Sequence, residues 1–591
     1  MRTSIATVSL SGALTEKLTA AARAGFDGVE IFENDLLASP LAPEEIRSRC
    51  ADLGLSIDLY QPMRDIEAVP AEVFARNLRR ARHKFELMRR LGTDTVLVCS
   101  SVSPQAVDDD DLAARQLAEL ADLAQDFGIR VAYEALAWGR HVSTYDHAWR
   151  IVESADHPAL GTCLDSFHIL SRGSDPKGIE DIPGEKIFFL QLADAPLLGM
   201  DVLQWSRHHR CFPGQGGFDV TGLVRHVLRA GYDGPLSLEV FNDVFRQSEA
   251  GPTAVDAQRS LLVLKEAVGL AAPPAPVVPT GVAFAELLTP DAEPVSAVLT
   301  ALGFARTARH RSKPVDLWQQ GEARILVNTA AATRRDSVHL AAIGLESPDS
   351  TGAARRAEAL LAPVLPRRRA PQDALLDAVA APDGTELFFC TSAWRGDFED
   401  APHPPAATGV TAVDHLALTQ PWHHFDEATL FHRSVLGLHA QESVDVADPY
   451  GLLRSRAVTN ADGSVRIVLT VGAAPGDDTV HAQHLALATD DVVAAARRFR
   501  AAGGRLLPIP ANYYDDLAAR FDFADGELET YRELGILYDR DAGGVFRHCY
   551  TQTVGRVFFE LVQREGYRGY GAGNAPVRLA AQHAVRAVTG G

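Results

Sequence analysis

Four short apolar segments between residues 129 and 241 each end in an oxygen-bearing side chain. The segments read IRVAYEAL, LGTCLDSFH, IFFLQLADA and GPLSLEVF, and they supply Glu134, Asp165, Gln191 and Glu239. A carboxylate at the end of a buried strand is unfavourable unless a positive charge neutralises it. A salt bridge or a helix N-cap would explain one such residue, but four at successive strand ends predict a shared divalent metal site. An all-oxygen set suits Mg²⁺, Mn²⁺ or a similar cation such as Co²⁺, whereas zinc more often binds His or Cys.

The elements that must position these side chains alternate between strand and helix patterns eight times over residues 1 to about 270. Eight βα units over this length predict a TIM barrel, in which reacting groups lie at the C-terminal ends of the strands. A doubly wound open sheet is the alternative, but no glycine-rich phosphate loop follows the first strand. Strands are expected at Ser4–Ser9, Gly28–Phe32, Ser56–Gln61, Thr95–Ser100, Ile129–Leu136, Gly161–Phe167, Ile187–Ala193 and Leu236–Phe241. Helix C-caps are expected at Gly25, Gly54, Gly128 and Gly231.

The composition bounds the partners and the compartment. At 591 residues the chain has more than one domain, and a net charge of −20 argues against nucleic acid or an anionic membrane as a partner. A small-molecule substrate and a homo-oligomer are expected instead. Six scattered cysteines without a CxxC pair indicate a reduced chain, and there is no apolar run long enough to span a membrane. The first residues fit a barrel strand better than a signal peptide, so a cytoplasmic protein is predicted.

After residue 270 the βα rhythm stops. The segment Ala271–Thr280 reads AAPPAPVVPT and is predicted to be an extended linker. Two stretches with a similar strand and helix order follow, 281–400 and 401–591, and a proline-rich APHPPAA lies where they meet. The pattern predicts an α+β domain built from paired βαβββ modules.

The barrel segment resembles the sugar phosphate isomerase-like barrels, and most closely the 3-dehydroshikimate dehydratases that form protocatechuate. The motifs AYEALAWGRHVSTYDHAW, CLDSFHIL and FLQLADA carry the resemblance. Relatives often have histidine where Gln191 stands, so this chain resembles the glutamine-bearing variety. The implied reaction is a β-elimination in quinate and shikimate catabolism. A metal on the C3 ketone stabilises an enolate while a base removes the C4 proton, and the C5 hydroxyl then leaves as water.

Three further residues are candidates for this chemistry. His168, three residues after Asp165, is the candidate base because histidine titrates near neutral pH. Its alternative role is to hydrogen-bond a ligand carboxylate. Arg210, after the seventh strand, and Arg64, just past the third, are candidates to bind the substrate carboxylate. Each arginine is otherwise an ordinary solvated surface residue.

Residues 281–580 resemble 4-hydroxyphenylpyruvate dioxygenase, a two-module protein of the vicinal oxygen chelate fold. The segments VDHLAL, QHLALAT, PANYYDDL, VFFELVQR and GYGAGN carry the resemblance in the second module. It implies metal ligands at His415, His484 and Glu560, for Fe²⁺ or another divalent metal, with open positions for a keto acid and O₂. The first module has Ala285 near the position that corresponds to His415, so no metal ligands are expected there.

Two departures from the dioxygenase pattern concern the substrate. His548 stands where that family has a substrate-contacting glutamine, and Ala575 stands where it has an aromatic residue after GAGN. Loss of this ring removes a wall against an aromatic substrate, so 4-hydroxyphenylpyruvate is not the expected substrate. The C-terminal half is expected to act on something else or to serve as a structural, regulatory or dimer-forming module.

The function expected from the sequence is metal-dependent dehydration of 3-dehydroshikimate to protocatechuate by the barrel. The alternative is a sugar isomerase or epimerase on the same barrel and metal, with the C-terminal half as a ligand-binding or oligomerisation module.

Overall fold

The computed structural model describes residues 1–330, 337–366, 370–401, 409–472 and 482–589. The chain divides into two compact units, Met1–Ala272 and Pro273–Gly591. No helix within these described ranges is long and apolar enough to span a bilayer.

The first unit is a closed barrel of eight parallel strands that pair in chain order. The predicted TIM barrel is therefore confirmed, and it was predictable because each strand is a short apolar run bounded by turn residues. The strands are β1 (Thr3–Ala6), β2 (Gly28–Phe32), β3 (Ser56–Arg64), β4 (Thr95–Cys99), β5 (Arg130–Glu134), β6 (Leu160–Asp165), β7 (Ile187–Leu192) and β8 (Leu236–Leu238).

Helices cover the outside of the barrel. The four predicted capping glycines all adopt positive φ angles, between 72° and 93°, a conformation that glycine adopts without the steric cost of a Cβ. The helices are α1 (Leu14–Ala24), α2 (Glu33–Ala38), α3 (Pro43–Asp52), α4 (Ala71–Leu91), α5 (Asp110–Asp126), α6 (Tyr145–Ala155), α7 (Ser166–Ser171), α8 (Val202–His208), α9 (Val220–Arg229) and α10 (Ala250–Ala267).

Several strands are shorter than the sequence pattern predicts. The first strand ends at Ala6, and a 3₁₀ turn takes up Thr7–Ser9. The eighth ends at Leu238, although the backbone N–H of Glu239 still donates to Leu192 O at 3.1 Å. The strand ladder stops at the barrel rim, where the chain turns outward, while the apolar composition continues into the loops.

The second unit contains two large mixed sheets. The first has the strand order β14-β15-β13-β9-β12-β11-β10-β16, and the second has the order β18-β20-β21-β17-β22-β25-β24-β23, with β19 paired to β20. The strands of the first sheet are β9 (Gly281–Leu288), β10 (Ala305–His310), β11 (Val315–Gln320), β12 (Ala323–Asn328), β13 (His339–Glu346), β14 (Asp377–Ala380), β15 (Glu386–Cys390) and β16 (Phe398–Asp400). Those of the second are β17 (Val410–Gln420), β18 (His439–Ala440), β19 (Val444–Asp448), β20 (Gly451–Thr459), β21 (Arg466–Gly472), β22 (Gln483–Thr489), β23 (Leu537–Arg540), β24 (Val545–Tyr550) and β25 (Val557–Glu565).

The two sheets repeat one arrangement, which agrees with the predicted pair of modules. The strand β9 lies between parallel β12 and antiparallel β13, and β17 lies in the same way between β21 and β22. The proline-rich APHPPAA segment falls almost entirely on 402–408, outside the described residues. The helices are α11 (Glu293–Ala301), α12 (Ser350–Ala359), α13 (Phe425–Leu436), α14 (Val492–Ala501), α15 (Ala511–Arg520), α16 (Glu527–Leu534) and α17 (Ala575–Thr589).

Candidate functional site

The four oxygen-bearing residues predicted from the sequence lie at one end of the barrel. Glu134 ends β5, Asp165 ends β6, Gln191 is the last but one residue of β7, and Glu239 follows β8. Asp165 pairs in register with Gln191 across the two strands. All four are at most 5% exposed. Parallel strands bring their C-terminal ends to the same rim, so the predicted set is adjacent in space.

Burial and neighbouring negative charges disfavour the ionised form of two of these carboxylates. Burial, followed by the charges of Asp165 and Glu239, raises the pKa of Glu134 well above its usual range. Burial raises the pKa of Glu239 to about 7, although Arg210 opposes the shift. Glu134 Oε1 is buried and has no hydrogen-bond partner among the described residues. A divalent cation would relieve the repulsion and ligate this oxygen, so the donor set fits a metal.

His168 joins this cluster from the helix that follows β6. Ligand atoms of Glu134, Asp165 and His168 all lie within 4.8 Å of one another. The Asp165 side chain caps α7 by accepting from His168 N at 3.0 Å. Burial lowers the pKa of His168 to about 3, so the imidazole is neutral at physiological pH.

Two N–H donors face the ring nitrogens of His168. The Ala137 backbone N donates to Nδ1 at 3.1 Å, and Arg210 Nη2 lies 3.3 Å from Nε2. A neutral imidazole has one acceptor nitrogen, so only one of these contacts is a hydrogen bond in a given tautomer. Donation by Ala137 places the imidazole proton on Nε2, whereas donation by Arg210 places it on Nδ1 and uses the Nε2 lone pair. Proton acceptance at Nε2 therefore requires the Nδ1–H tautomer and release of the contact with Arg210.

Arg210 is buried among the predicted metal ligands. Its Nη1 lies 2.8 Å from Asp165 Oδ2 and 3.1 Å from Glu239 Oε2, and its Nη2 donates to Ser206 Oγ at 2.8 Å. The guanidinium also lies over the Phe167 ring, 4.6 Å from its centroid. In this position Arg210 neutralises two carboxylates, and its predicted role as a substrate clamp stays a prediction.

Arg64 lies differently, at the mouth of the cavity above these residues. It is the last residue of β3 and is exposed, and the described part of the chain offers it no ion-pair partner. The cavity has a volume of about 320 Å³, and Glu134, His168, Arg210 and Glu239 also line it. A free guanidinium above a cluster of carboxylates is suited to an anionic substrate.

A fourth carboxylate, Glu30 in β2, was not predicted from the sequence. Its Oε2 accepts from Gln191 Nε2 at 2.6 Å and from Gln61 Nε2 at 2.7 Å, and its Oε1 contacts Ser237 Oγ. Glu30 thereby fixes which end of the Gln191 amide faces away from it, leaving the carbonyl oxygen for a metal. Its place inside an apolar run, rather than at the end of one, concealed it.

The C-terminal unit brings His415, His484 and Glu560 together on adjacent strands β17, β22 and β25. Glu560 Oε2 lies 3.2 Å from Nε2 of each histidine, and the two Nε2 atoms are 3.3 Å apart. Metal bonds of about 2.0–2.2 Å at right angles would place neighbouring ligand atoms about 2.8–3.1 Å apart. The triangle is close to one face of an octahedral site, so these residues fit a divalent metal.

Neighbouring side chains orient this triad. Asp414 Oδ1 lies 2.7 Å from His415 Nδ1, which leaves Nε2 free to ligate, and Arg564 Nη2 donates to the same carboxylate at 2.7 Å. His548 Nδ1 lies 2.6 Å from Glu560 Oε1. Burial opposes ionisation of Glu560, but the histidines hold its pKa well below the usual range. Such contacts are typical of the groups that support metal ligands.

His548 does not line the cavity beside the triad, whereas Ala575 does. The His548 ring is fully buried, with Nδ1 toward Glu560 and Nε2 accepting from Asn574 Nδ2 at 3.0 Å. The change from the glutamine of the dioxygenase family therefore acts through Glu560.

The first module of this unit has a buried Ala285 on β9, and a separate polar cluster of His310, Asp373 and Asp397. Both carboxylates of this cluster accept from backbone N–H groups, Asp373 from Ala370 N at 3.0 Å and Asp397 from Ala374 N at 2.8 Å. These bonds account for the burial of the two carboxylates as caps of a turn.

Comparison with known families assigns a separate family to each unit. Residues 18–267 match the xylose isomerase-like TIM barrel family. Residues 274–345 match the N-terminal part of hydroxyphenylpyruvate dioxygenase, and residues 412–528 match the glyoxalase/bleomycin resistance protein/dioxygenase superfamily.

Relatives with both units also exist. A 3-dehydroshikimate dehydratase of Pseudomonas putida is 44% identical over 626 aligned positions, and one of Pseudomonas aeruginosa is 45% identical over 628. Both alignments cover 99% of this chain and 99% of the relative. A solved xylose isomerase-like TIM barrel/4-hydroxyphenylpyruvate dioxygenase fusion protein is 43% identical, with a TM-score of 0.90 over 99% of this chain and all of the other.

Proposed function

The chain belongs to the two-domain 3-dehydroshikimate dehydratase family, and on that premise we propose that its barrel dehydrates 3-dehydroshikimate to 3,4-dihydroxybenzoate in a metal-dependent reaction. The observation that carries the proposal is the meeting of Glu134, Asp165, Gln191 and Glu239 at the C-terminal rim of the barrel. His168 lies beside them, with a ligand atom within 4.8 Å of those of Glu134 and Asp165. TIM barrels carry their reacting groups at this rim.

Glu134, Asp165, Gln191 and Glu239 would hold the metal. The orphaned Glu134 Oε1 and the raised pKa of Glu134 and Glu239 support this assignment. An Mg²⁺, Mn²⁺ or Co²⁺ ion would supply Lewis-acid polarisation of the substrate ketone. Glu30 would hold the Gln191 amide so that its oxygen, rather than its nitrogen, faces the metal.

The arginines divide the recognition of charge between them. Arg64 binds the substrate carboxylate, because it faces the cavity mouth with no partner in the described residues. Arg210 favours the ionised forms of Asp165 and Glu239 through contacts of 2.8 and 3.1 Å, and it is the second candidate for the substrate carboxylate.

His168 carries the proton. Its Nε2 accepts the C4 proton and returns it to the departing C5 hydroxyl, so that water leaves and a tautomeric shift completes the aromatic ring. The lowered pKa of His168, about 3 because of burial, keeps the base in its neutral form at physiological pH.

The C-terminal half holds Fe²⁺ or another divalent metal at His415, His484 and Glu560, and it does not oxidise 4-hydroxyphenylpyruvate. Ala575 lines its cavity where the dioxygenase family has an aromatic wall, which supports the second statement. Oxygen uptake with several aromatic keto acids tests it, and robust uptake with 4-hydroxyphenylpyruvate would contradict it.

The reaction belongs to quinate and shikimate catabolism in the cytoplasm. All six cysteines are buried thiols without a disulfide, in agreement with a reducing compartment. The homo-oligomer stays a prediction.

Substrate competition tests the assignment of the barrel. We expect kcat/KM for 3-dehydroshikimate, followed by the ultraviolet absorbance of the product, to exceed that for any keto sugar by about 10³-fold or more. The alternative, a sugar isomerase or epimerase, predicts the reverse order, and faster turnover of a keto sugar would establish it.

A further inference from the structure

The cavity beside the C-terminal triad is lined by cations and not by acids. Arg578 and Arg586 reach it from α17, and none of the lining residues in the described ranges is Asp or Glu. Glu560 is 1% exposed and does not line the cavity, whereas His415 and His484 do. The guanidinium of Arg578 therefore offers a positive charge to a ligand in the cavity.

Arg578 provides hydrogen-bond donors without a matching anion. Its Nη1 donates to Gln582 Oε1 at 2.9 Å, but within the described chain it forms no ion pair with a carboxylate. Gln582 is 7% exposed, and its Nε2 has no hydrogen-bond partner among the described residues. A buried amide donor beside an unpaired guanidinium is costly unless a ligand accepts from both. The donors of this pair, the carboxylate subsite, suit an anionic carboxylate.

The carboxylate subsite and the triad share two aromatic neighbours. The Arg578 guanidinium lies 5.5 Å from the Phe558 ring centroid and 5.7 Å from that of Tyr550. The His484 ring packs on the same two rings, at 4.8 and 6.0 Å between centroids. Arg578 and His484 are thus held against a common aromatic pair.

We propose that this cavity binds an aromatic carboxylic acid with two adjacent hydroxyl groups. The three ligands of the triad form one face, which leaves adjacent positions on a metal for two neighbouring oxygens. Arg578 and Gln582 Nε2 then donate hydrogen bonds to the carboxylate at the other end of the ring, and Tyr550 lies against the ring. A keto acid of the hydroxyphenylpyruvate type would instead place its carboxylate at the metal. Its neutral phenol would then face Arg578, which would have no anion to bind.

The product assigned to the barrel, 3,4-dihydroxybenzoate, belongs to this class. This identity rests on the proposed function of the barrel, whereas the ligand class rests on the C-terminal residues alone. The C-terminal half is then a binding site for the product of the first half.

The experiment is a calorimetric titration of the metal-loaded full chain with added 3,4-dihydroxybenzoate and, separately, with catechol, which lacks the carboxylate. A Glu239→Ala background removes the barrel metal ligand so that the C-terminal site is measured. We expect Arg578→Leu to weaken 3,4-dihydroxybenzoate binding about 10- to 100-fold and catechol binding less than about twofold. Arg578→Lys, which keeps the charge, should retain most of the affinity.

Arg520→Leu is the matched control, since Arg520 is exposed on α15 and pairs with Asp516. The proposal would be overturned if Arg578→Leu weakened both ligands equally or neither. It would also be overturned if the Glu239→Ala chain that retains Arg578 did not bind 3,4-dihydroxybenzoate, or if it bound 4-hydroxyphenylpyruvate more tightly. Because the ligand is added, these outcomes do not depend on whether the barrel makes it. Turnover of 3-dehydroshikimate by the wild-type chain tests the barrel separately.

Discussion

The barrel rim and the C-terminal triad both gather ligand-type side chains on neighbouring strands, but their electrostatics are opposite. In the barrel, burial and mutual repulsion raise the pKa of Glu134 and Glu239. In the C-terminal unit, three histidines hold the pKa of Glu560 well below its usual range. The carboxylates of the barrel cluster therefore need an added cation for full ionisation, whereas the negative charge of Glu560 is already stabilised by the histidines around it.

The side chains that hydrogen-bond to the predicted ligands also differ between the two sites. In the barrel, Glu30 accepts from the Gln191 amide and selects its orientation. In the C-terminal unit, Asp414 and His548 each bind one ligand and select a tautomer or fix a carboxylate. The Gln191 amide is thus oriented by an acceptor, whereas the C-terminal ligands are oriented by an acceptor, Asp414, and by a donor, His548.

Removing one ligand from each cluster gives the largest expected contrast. Glu239→Ala should lower kcat/KM for 3-dehydroshikimate by about 10³-fold or more, because Lewis-acid polarisation is worth several kcal/mol. His415→Ala should instead remove the C-terminal metal. Elemental analysis should find one metal fewer per chain in each variant, and steady-state kinetics should follow the barrel metal alone. Equal losses of kcat/KM in both variants would contradict separate roles for the two sites, because both metals would then be needed for the dehydration.

Arg64→Leu sharpens the distinction between the two barrel arginines. We expect KM for 3-dehydroshikimate to rise about 10- to 100-fold with a smaller change in kcat, because a charged hydrogen bond to the bound substrate is lost. Arg115→Leu, an exposed change on α5, is the control. An unchanged KM would contradict this role of Arg64 and would assign the substrate carboxylate to Arg210.

Glu30→Gln tests the support of the barrel ligands. The new amide can accept or donate, so Gln191 loses its fixed orientation, and barrel affinity for Mn²⁺ should fall about 10- to 50-fold. Manganese titration followed by electron paramagnetic resonance measures this without relying on activity. Glu119→Gln on the α5 surface serves as the comparison. Wild-type affinity in the Glu30 variant would leave Glu30 a purely structural residue.

Asp414→Asn makes the corresponding change in the other unit, with a smaller expected effect. His415 loses the anion that receives its Nδ1 proton, and affinity of the C-terminal site for metal should fall about 10-fold. Asp445→Asn, a change at an exposed residue of β19, is the control. A parallel loss at the barrel site would show that the variant perturbs the chain as a whole.

The barrel and the residues at its rim were predictable because strand ends carry a compositional signature. Glu134, Asp165, Gln191 and Glu239 each end an apolar run, and parallel strands align such ends. Glu30 was not predicted because it lies inside the apolar segment of β2 rather than at its end. A glutamate in that position is also compatible with a salt bridge. Distances across strands, such as those of Arg210 to its two carboxylates, depend on barrel closure and leave no local pattern.

The C-terminal triad was located through motifs rather than periodicity, since His415, His484 and Glu560 lie within ordinary strand patterns. The orientation of His548 could not be read from its position. Its neighbour in the chain does not reveal that the ring lies between Glu560 and Asn574. Such contacts form only when β24 pairs with β25.

The most direct test of the central claim is turnover of 3-dehydroshikimate before and after chelation, monitored by product absorbance with metal content measured in parallel. The chelated chain should lose its dehydratase activity, and Mg²⁺, Mn²⁺ or Co²⁺ should restore it. Full turnover by chain that elemental analysis finds free of metal would contradict the metal-dependent role of the barrel rim.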